Sequence, residues 1–184
     1  SLEVDGSLTS LSLLTEPDSL LSGSGTIAAP ASISGNLSPD GTLSFSNGLT
    51  LEDGALVSFD LGTTKDLLTV TGDVTLAGSI EVRAGVGFAA GIYRLINHTG
   101  SLTNNGFTVG LIPPGFSATV VTTTPGQVDL VVTSTLAPYA LWQYQHFGGT
   151  TVTAASVDAD PDSDGTSNLT EFRLGLDPKS GASS

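Results

Sequence analysis

Apolar and polar residues alternate through most of the first two thirds of the chain, in short runs that end at Gly, Asn or Asp. The pattern is cleanest between Gly41 and Ala84. Leu43 and Phe45, then Leu49 and Leu51, then Val57, Phe59 and Leu61 each mark one apolar face. Leu68 and Val70, Val74 and Leu76, Ile80 and Val82 repeat that series. A period of two puts such residues on one face of a strand, and Asn47-Gly48, Glu52-Asp53-Gly54, Gly72-Asp73 and Gly78 supply the turns. Three strands occupy roughly twenty residues, from Gly41 to Leu61 and again from Gly62 to Arg83, a period that suits stacked solenoid coils. Leu2–Val4, Leu8–Leu13, Leu20-Leu21, Ile27, Ile33 and Leu37 follow the pattern more loosely. An antiparallel sandwich, which also strings short strands between turns, is the competing arrangement.

The pattern changes after residue 85. Gly91–Asn97 and Gly106–Gly110 read as strands. Phe116–Thr123 and Val128–Thr133 read as a hairpin around Thr124-Pro125-Gly126. A solenoid needs a cover over its last coil, and residues 86–134 stand where a β-rich cap belongs. Residues 135–148 switch to helix, with Ser134 or Thr135 as the expected cap, Pro138 in the first turn and Gly148-Gly149 as the stop. A second short helix runs through Leu169, Phe172 and Leu174 and ends at Gly175 and Asp177-Pro178. The expected division is therefore coils over 1–85, cap over 86–134, helix–loop–helix over 135–178, and a frayed tail over 179–184.

Composition narrows the function. Charged residues make up 12% of the 184 residues and hydrophobic ones 39%, and the formal net charge is −13. Lys65, Arg83, Arg94, Arg173 and Lys179 are the only cations, too few and too scattered to bind nucleic acid or an anionic membrane surface. Cysteine is absent, which removes disulfides and thiolate metal sites. No apolar run is long enough to span a membrane. Ser1 is not an initiator Met, and the start resembles a mature product or a piece of something longer.

The acidic residues are not evenly spread. Asp158, Asp160, Asp162, Asp164 and Glu171 crowd one segment, and Asp160–Glu171 has the spacing of a calcium loop. Asp160, Asp162 and Asp164 stand at positions 1, 3 and 5. Gly165 stands at position 6, where the turn needs positive φ. Thr166 at position 7 offers its carbonyl, Asn168 at position 9 acts directly or through water, and Glu171 at position 12 closes the shell with both oxygens. Ca²⁺ takes six to eight oxygens at about 2.3–2.6 Å, which this segment can supply, whereas Mg²⁺ prefers a smaller shell and keeps its waters. An acidic solvated turn would not require Gly165 and Glu171 at these offsets.

Two resemblances join these observations. Gly35–Leu43, Asp66–Gly78 and Gly91–Ile96 carry a likeness of residues 34–134 to bacterial autotransporter-associated β-strand repeat proteins. That likeness implies a right-handed parallel β-helix. Leu141-Trp142-Gln143, His146-Phe147-Gly148, the calcium loop and Phe172–Pro178 resemble a C-terminal module of secreted proteins from Verrucomicrobia-like bacteria. The loop is also similar to thrombospondin type 3 and dockerin calcium repeats. This second resemblance implies Asp160, Asp162, Asp164, Asn168 and Glu171 as calcium ligands, with Thr166 through its carbonyl. A dockerin carries two such loops and this chain one, which argues against a cohesin-type partner. No autotransporter barrel follows Ser184, so secretion through a fused pore is not expected.

Other chemistry is weaker. His98 lies in a turn and His146 near a helix end, neither beside an acid–base partner in sequence. No G-x-S-x-G elbow occurs. Asp60, Asp66 and Asp73, with Lys65 beside them, are candidates for a carboxylate face but are better read as turn acids that bind backbone N–H groups. Trp142 and Tyr144 offer sugar-stacking surfaces, although Trp142 is expected to pack against Phe172 and Leu169. The expectation is a calcium-stabilised, non-enzymatic structural protein, secreted or on the cell surface, forming homo-oligomers or head-to-tail filaments. The alternative is a calcium-dependent adhesion module that recognises polysaccharide or a surface protein.

Overall fold

The computed structural model describes residues 1–181; the end of the expected tail, 182–184, lies outside the described residues. The first three coils each contain three strands. They comprise β1 (Leu2–Glu3), β2 (Ser7–Thr9) and β3 (Leu13–Thr15), then β4 (Leu20–Gly23), β5 (Thr26–Ala28) and β6 (Ala31–Ile33), then β7 (Asn36–Pro39), β8 (Thr42–Phe45) and β9 (Leu49–Leu51). Next come β10 (Leu56–Leu61), β11 (Leu67–Val70) and β12 (Val74–Leu76), followed by β13 (Ser79–Ala84), β14 (Gly91–His98) and β15 (Leu102–Asn104). β16 (Thr108–Leu111) begins a sixth turn of the chain. Every third strand is a neighbour. The first sheet runs β1-β4-β7-β10-β13-β16, the second β2-β5-β8-β11-β14 and the third β3-β6-β9-β12-β15, all with parallel pairing. This is a parallel β-helix, and parallel registers such as Val57↔Ile80 and Phe45↔Val70 exclude the antiparallel sandwich.

Register explains the core. Leu21, Leu37, Val57 and Ile80 stack in one column of the first sheet, and Ile27, Phe45 and Val70 in one column of the second. Leu49 and Val74, with Leu51 and Leu76, stack in the third. All are buried. A side chain such as Leu or Phe contributes about 1.5–3 kcal/mol when fully buried, so aligned columns stabilise each coil on the next. Close stacking also restricts the corners. A Cβ on Gly78 (φ +78°) would stand 2.3 Å from the Ala55 carbonyl oxygen of the coil before.

The coil length departs from the expected twenty residues. Leu2 pairs with Leu21 and Leu21 with Leu37, steps of 19 and 16 residues, while Val57 pairs with Ile80 and Ile80 with Val109, steps of 23 and 29. The extra residues sit partly in loops between strands and partly in longer strands, β10, β13 and β14. Parallel stacking also continues beyond residue 85, because β14, β15 and β16 pair with β11, β12 and β13.

The hairpin forms as expected. β17 (Phe116–Val121) and β18 (Gln127–Ser134) are antiparallel, and β18 pairs antiparallel with β14. The hairpin therefore extends the second sheet and covers the open edge of its last coil. Arg94 bridges this junction, pairing with Asp129 and bonding Asn97 and Gln127.

Helix α1 (Pro138–Phe147) follows. Its cap position is Ala137, with no side-chain cap bond, and neither Ser134 nor Thr135 takes the role. Pro138 is the reason: a residue before proline is held extended, so the helix starts at the proline itself. Gly148 ends it in the left-handed conformation, as expected. The second helix, α2 (Asn168–Leu174), ends at Gly175 with φ +71°. Its inward residues are Asn168 and Glu171, while Leu174 is exposed. Among the described residues, no helix is long and apolar enough to cross a membrane.

Candidate metal centre

The segment between α1 and α2 folds around its acidic residues. Backbone bonds from Leu169 N to Val157 O (3.1 Å) and from Asn168 N to Ala159 O (2.8 Å) close the loop at its base. Asp160 accepts from the amides of Asp164 (3.2 Å) and Gly165 (2.9 Å), and Asp164 Oδ1 accepts from Thr166 N (2.8 Å). Gly165 has φ +91°, as position 6 requires. These bonds turn the loop so that one carboxylate oxygen from each of Asp160, Asp162 and Asp164 lies within 4.8 Å of the other two. Oxygens bound to one Ca²⁺ at about 2.3–2.6 Å are necessarily no more than about 5 Å apart, so this spacing fits the ion.

Glu171 is placed by α2, where it sits in the first turn. It is only 1% exposed, yet neither Oε1 nor Oε2 has a hydrogen-bond partner. Asp162 Oδ2 and Asn168 Oδ1 are likewise buried and unpartnered. Burial raises the Glu171 carboxyl above the usual range, and the carboxylates of Asp162, Asp164 and Asp160 raise it further. Asp162 is shifted the same way, first by burial and then by Asp164 and Asp160. A buried carboxylate without a donor is strongly disfavoured unless a proton or cation meets it. The donor set is all oxygen, which suits a hard cation such as Ca²⁺.

Thr166 gives its amide to Asp164 and leaves its carbonyl without a hydrogen bond among the described residues. Asn168 has a task that the motif does not reveal. Its Nδ2 donates to Ala154 O and Ser156 O, both at 2.7 Å, while its Oδ1 is left free. Between those carbonyls, Ala155 O accepts from Gln143 Nε2 at 2.7 Å and from the Tyr139 hydroxyl at 3.4 Å. Sequence reasoning missed Gln143 and the Thr153–Ala155 3-10 turn. The available signal was a polar residue between Tyr139, Trp142 and His146 on one face of α1. Those rings pack on α2: Tyr139 and Trp142 lie 5.2 and 5.9 Å from Phe172, centroid to centroid.

The remaining candidates have structural surroundings. Asp66 accepts from Gly41 N and Asp60 N, both at 2.8 Å, and Asp73 Oδ1 accepts from Ser101 N at 2.7 Å. These are bonds between a turn acid and backbone. His98 Nδ1 lies 2.9 Å from Gly100 O, and His146 is 4.8 Å from the Trp142 ring and 3.6 Å from Asp177.

The chain is similar to the adhesin BmaC autotransporter of Brucella suis biovar 1 (strain 1330). The two are 50% identical over 52 residues, which is 28% of this chain and 2% of that protein. The chain thus spans a very small part of the length of the relative it matches. No protein-family model matches it, and no solved structure matches it.

Proposed function

We propose that this chain is a segment of a surface-exposed bacterial adhesin-type solenoid, acting as a scaffold whose C-terminal end is held by Ca²⁺. The parallel three-sheet stack and the similarity to an autotransporter adhesin support the scaffold. The calcium part rests on one observation above the others: Glu171 is buried with both carboxylate oxygens unpartnered, in the electrostatic field of Asp160, Asp162 and Asp164, whose own oxygens gather within 4.8 Å of one another. Asp160, Asp162, Asp164 and Glu171 supply side-chain oxygens, Thr166 its carbonyl, and Asn168 its free Oδ1, directly or through water. The ion neutralises charges that otherwise repel, so the role is mechanical and no reaction is assigned. A test is thermal unfolding of the whole chain in millimolar calcium and after chelation. Calcium is expected to raise the melting temperature of the transition reported by Trp142, and an unchanged transition would remove the calcium part.

Self-association is a finer reading. Leu11 and Leu14 in the first coil are 97% and 72% exposed, and a heterologous contact that covers such a surface propagates head to tail into filaments. Electron microscopy at high concentration in calcium decides this, since persistent monomers would exclude it. Adhesion is the reading that the relative's name supports; recognition of polysaccharide or a surface protein is its finer form, and a glycan array tests the first of these.

A further inference from the structure

Helix α1 stands between the metal loop and the end of the solenoid and is bonded to both. Toward the solenoid, Tyr144 is buried edge-on to Phe116 at 5.2 Å, and Phe116 lies 4.7 Å from Phe88, which is fully buried. The Gly87 amide donates to Gln145 O at 2.7 Å, which fastens the 85–90 loop to the helix. The Ala89 amide donates to the Tyr93 hydroxyl, holding that loop against β14. Toward the loop, the contact is a polar buckle. Three successive carbonyls of one turn are taken by side-chain amides from the two helices: Asn168 of α2 takes Ala154 and Ser156, and Gln143 of α1 takes Ala155. Asn168 and Glu171 are one helical turn apart on the inward side of α2. The position of Glu171 therefore sets the position of Asn168, and through the shared turn that of Gln143.

We infer that the Gln143–Asn168 buckle transmits metal occupancy from the loop to the end of the solenoid, so that calcium bound at 160–171 closes the 85–90 loop over the core. This rests on the calcium reading above. Side-chain amides suit the task because each bond is directional and its loss leaves a buried carbonyl unpaired, so the turn cannot slide relative to either helix without cost. Two elements docked only through apolar faces would tolerate such sliding.

The test is hydrogen–deuterium exchange on the whole chain, with calcium chloride and after chelation, alongside calorimetric titration. At free calcium about one hundred times its dissociation constant, exchange at Gly87, Phe88 and Ala89 is expected to slow by up to about a hundredfold. The Ser46 amide, bonded to Ile27 O deep in the coils, is expected not to respond. Gln143→Met keeps the side-chain length but removes the donor. It should bind calcium as wild type does and lose the response at residues 87–89. Calcium binding with no change at residues 87–89 in the wild-type protein overturns the inference, and that comparison needs no variant. A response retained in Gln143→Met overturns the role of the buckle. Absence of any calorimetric binding instead removes the metal reading and the inference with it.

Discussion

The solenoid and the C-terminal helical unit solve the burial problem in opposite ways. In the coils, inward positions are filled by Leu, Val, Ile and Phe stacked in register, and backbone groups pair with the coils above and below. Even their acids, Asp66 and Asp73, are used up by backbone amides. In the unit over 138–178, the buried positions include Gln143, Asn168 and Glu171, and four carbonyl or carboxylate oxygens among Asp162, Asn168 and Glu171 have no partner. Among the described residues, the coils leave a single buried side-chain atom unpartnered, His98 Nε2 at the end of β14. The helical unit leaves a concentration of negative oxygen that a cation would satisfy, and this difference separates what repetition can stabilise from what requires a ligand.

The contrast can be broken from either side. Phe59 is fully buried in β10, and Phe59→Ala is expected to cost about 3–5 kcal/mol of stability, equally with and without calcium. Denaturant unfolding in both conditions checks this. Glu171→Gln should abolish the calcium-induced rise in melting temperature, a loss of about 2.7 kcal/mol when calcium stands about a hundredfold above its dissociation constant. Asp66→Ala strands the amides of Gly41 and Asp60 and is expected to cost about 1–3 kcal/mol, again without regard to calcium.

The smallest effect is expected from pH. In chelated protein the folded-state carboxyls of Glu171 and Asp162 lie above their usual range, raised first by burial. The folded state then binds more protons than the unfolded state, so stability falls as pH rises from the ordinary carboxylate range through the raised values. Acidifying from neutral should therefore strengthen the metal-free unit, because a proton does part of the work of the cation. With calcium present the sign reverses, since protons compete for the same oxygens. Trp142 fluorescence during thermal unfolding across that range reads both trends.

The regions also differ in how much their sequences disclose. Every inward residue expected between Leu43 and Val82 is buried, because a two-residue period ties each side chain to a face. Coil length was less legible, since a two-residue period fixes the face of a side chain but neither the length of a strand, as in β13 and β14, nor that of the loop beside it. In the helical unit the loop spacing located the acidic residues and Gly165, because each offset has its own geometric demand. The second task of Asn168 and the burial of Gln143 were hidden. Both depend on carbonyls of the 154–156 turn, which come close only after α1 and α2 have packed. The cap at Ala137 is hidden from Ser and Thr preferences alone, because Pro138 holds its predecessor extended whatever residue stands there.

The most direct test of the contrast is calorimetric titration of the whole chain with calcium at neutral pH, repeated on Glu171→Gln. The account predicts one saturable site in the wild-type protein and a large loss of affinity in the variant. Absence of binding, or equal binding by both proteins, would contradict it.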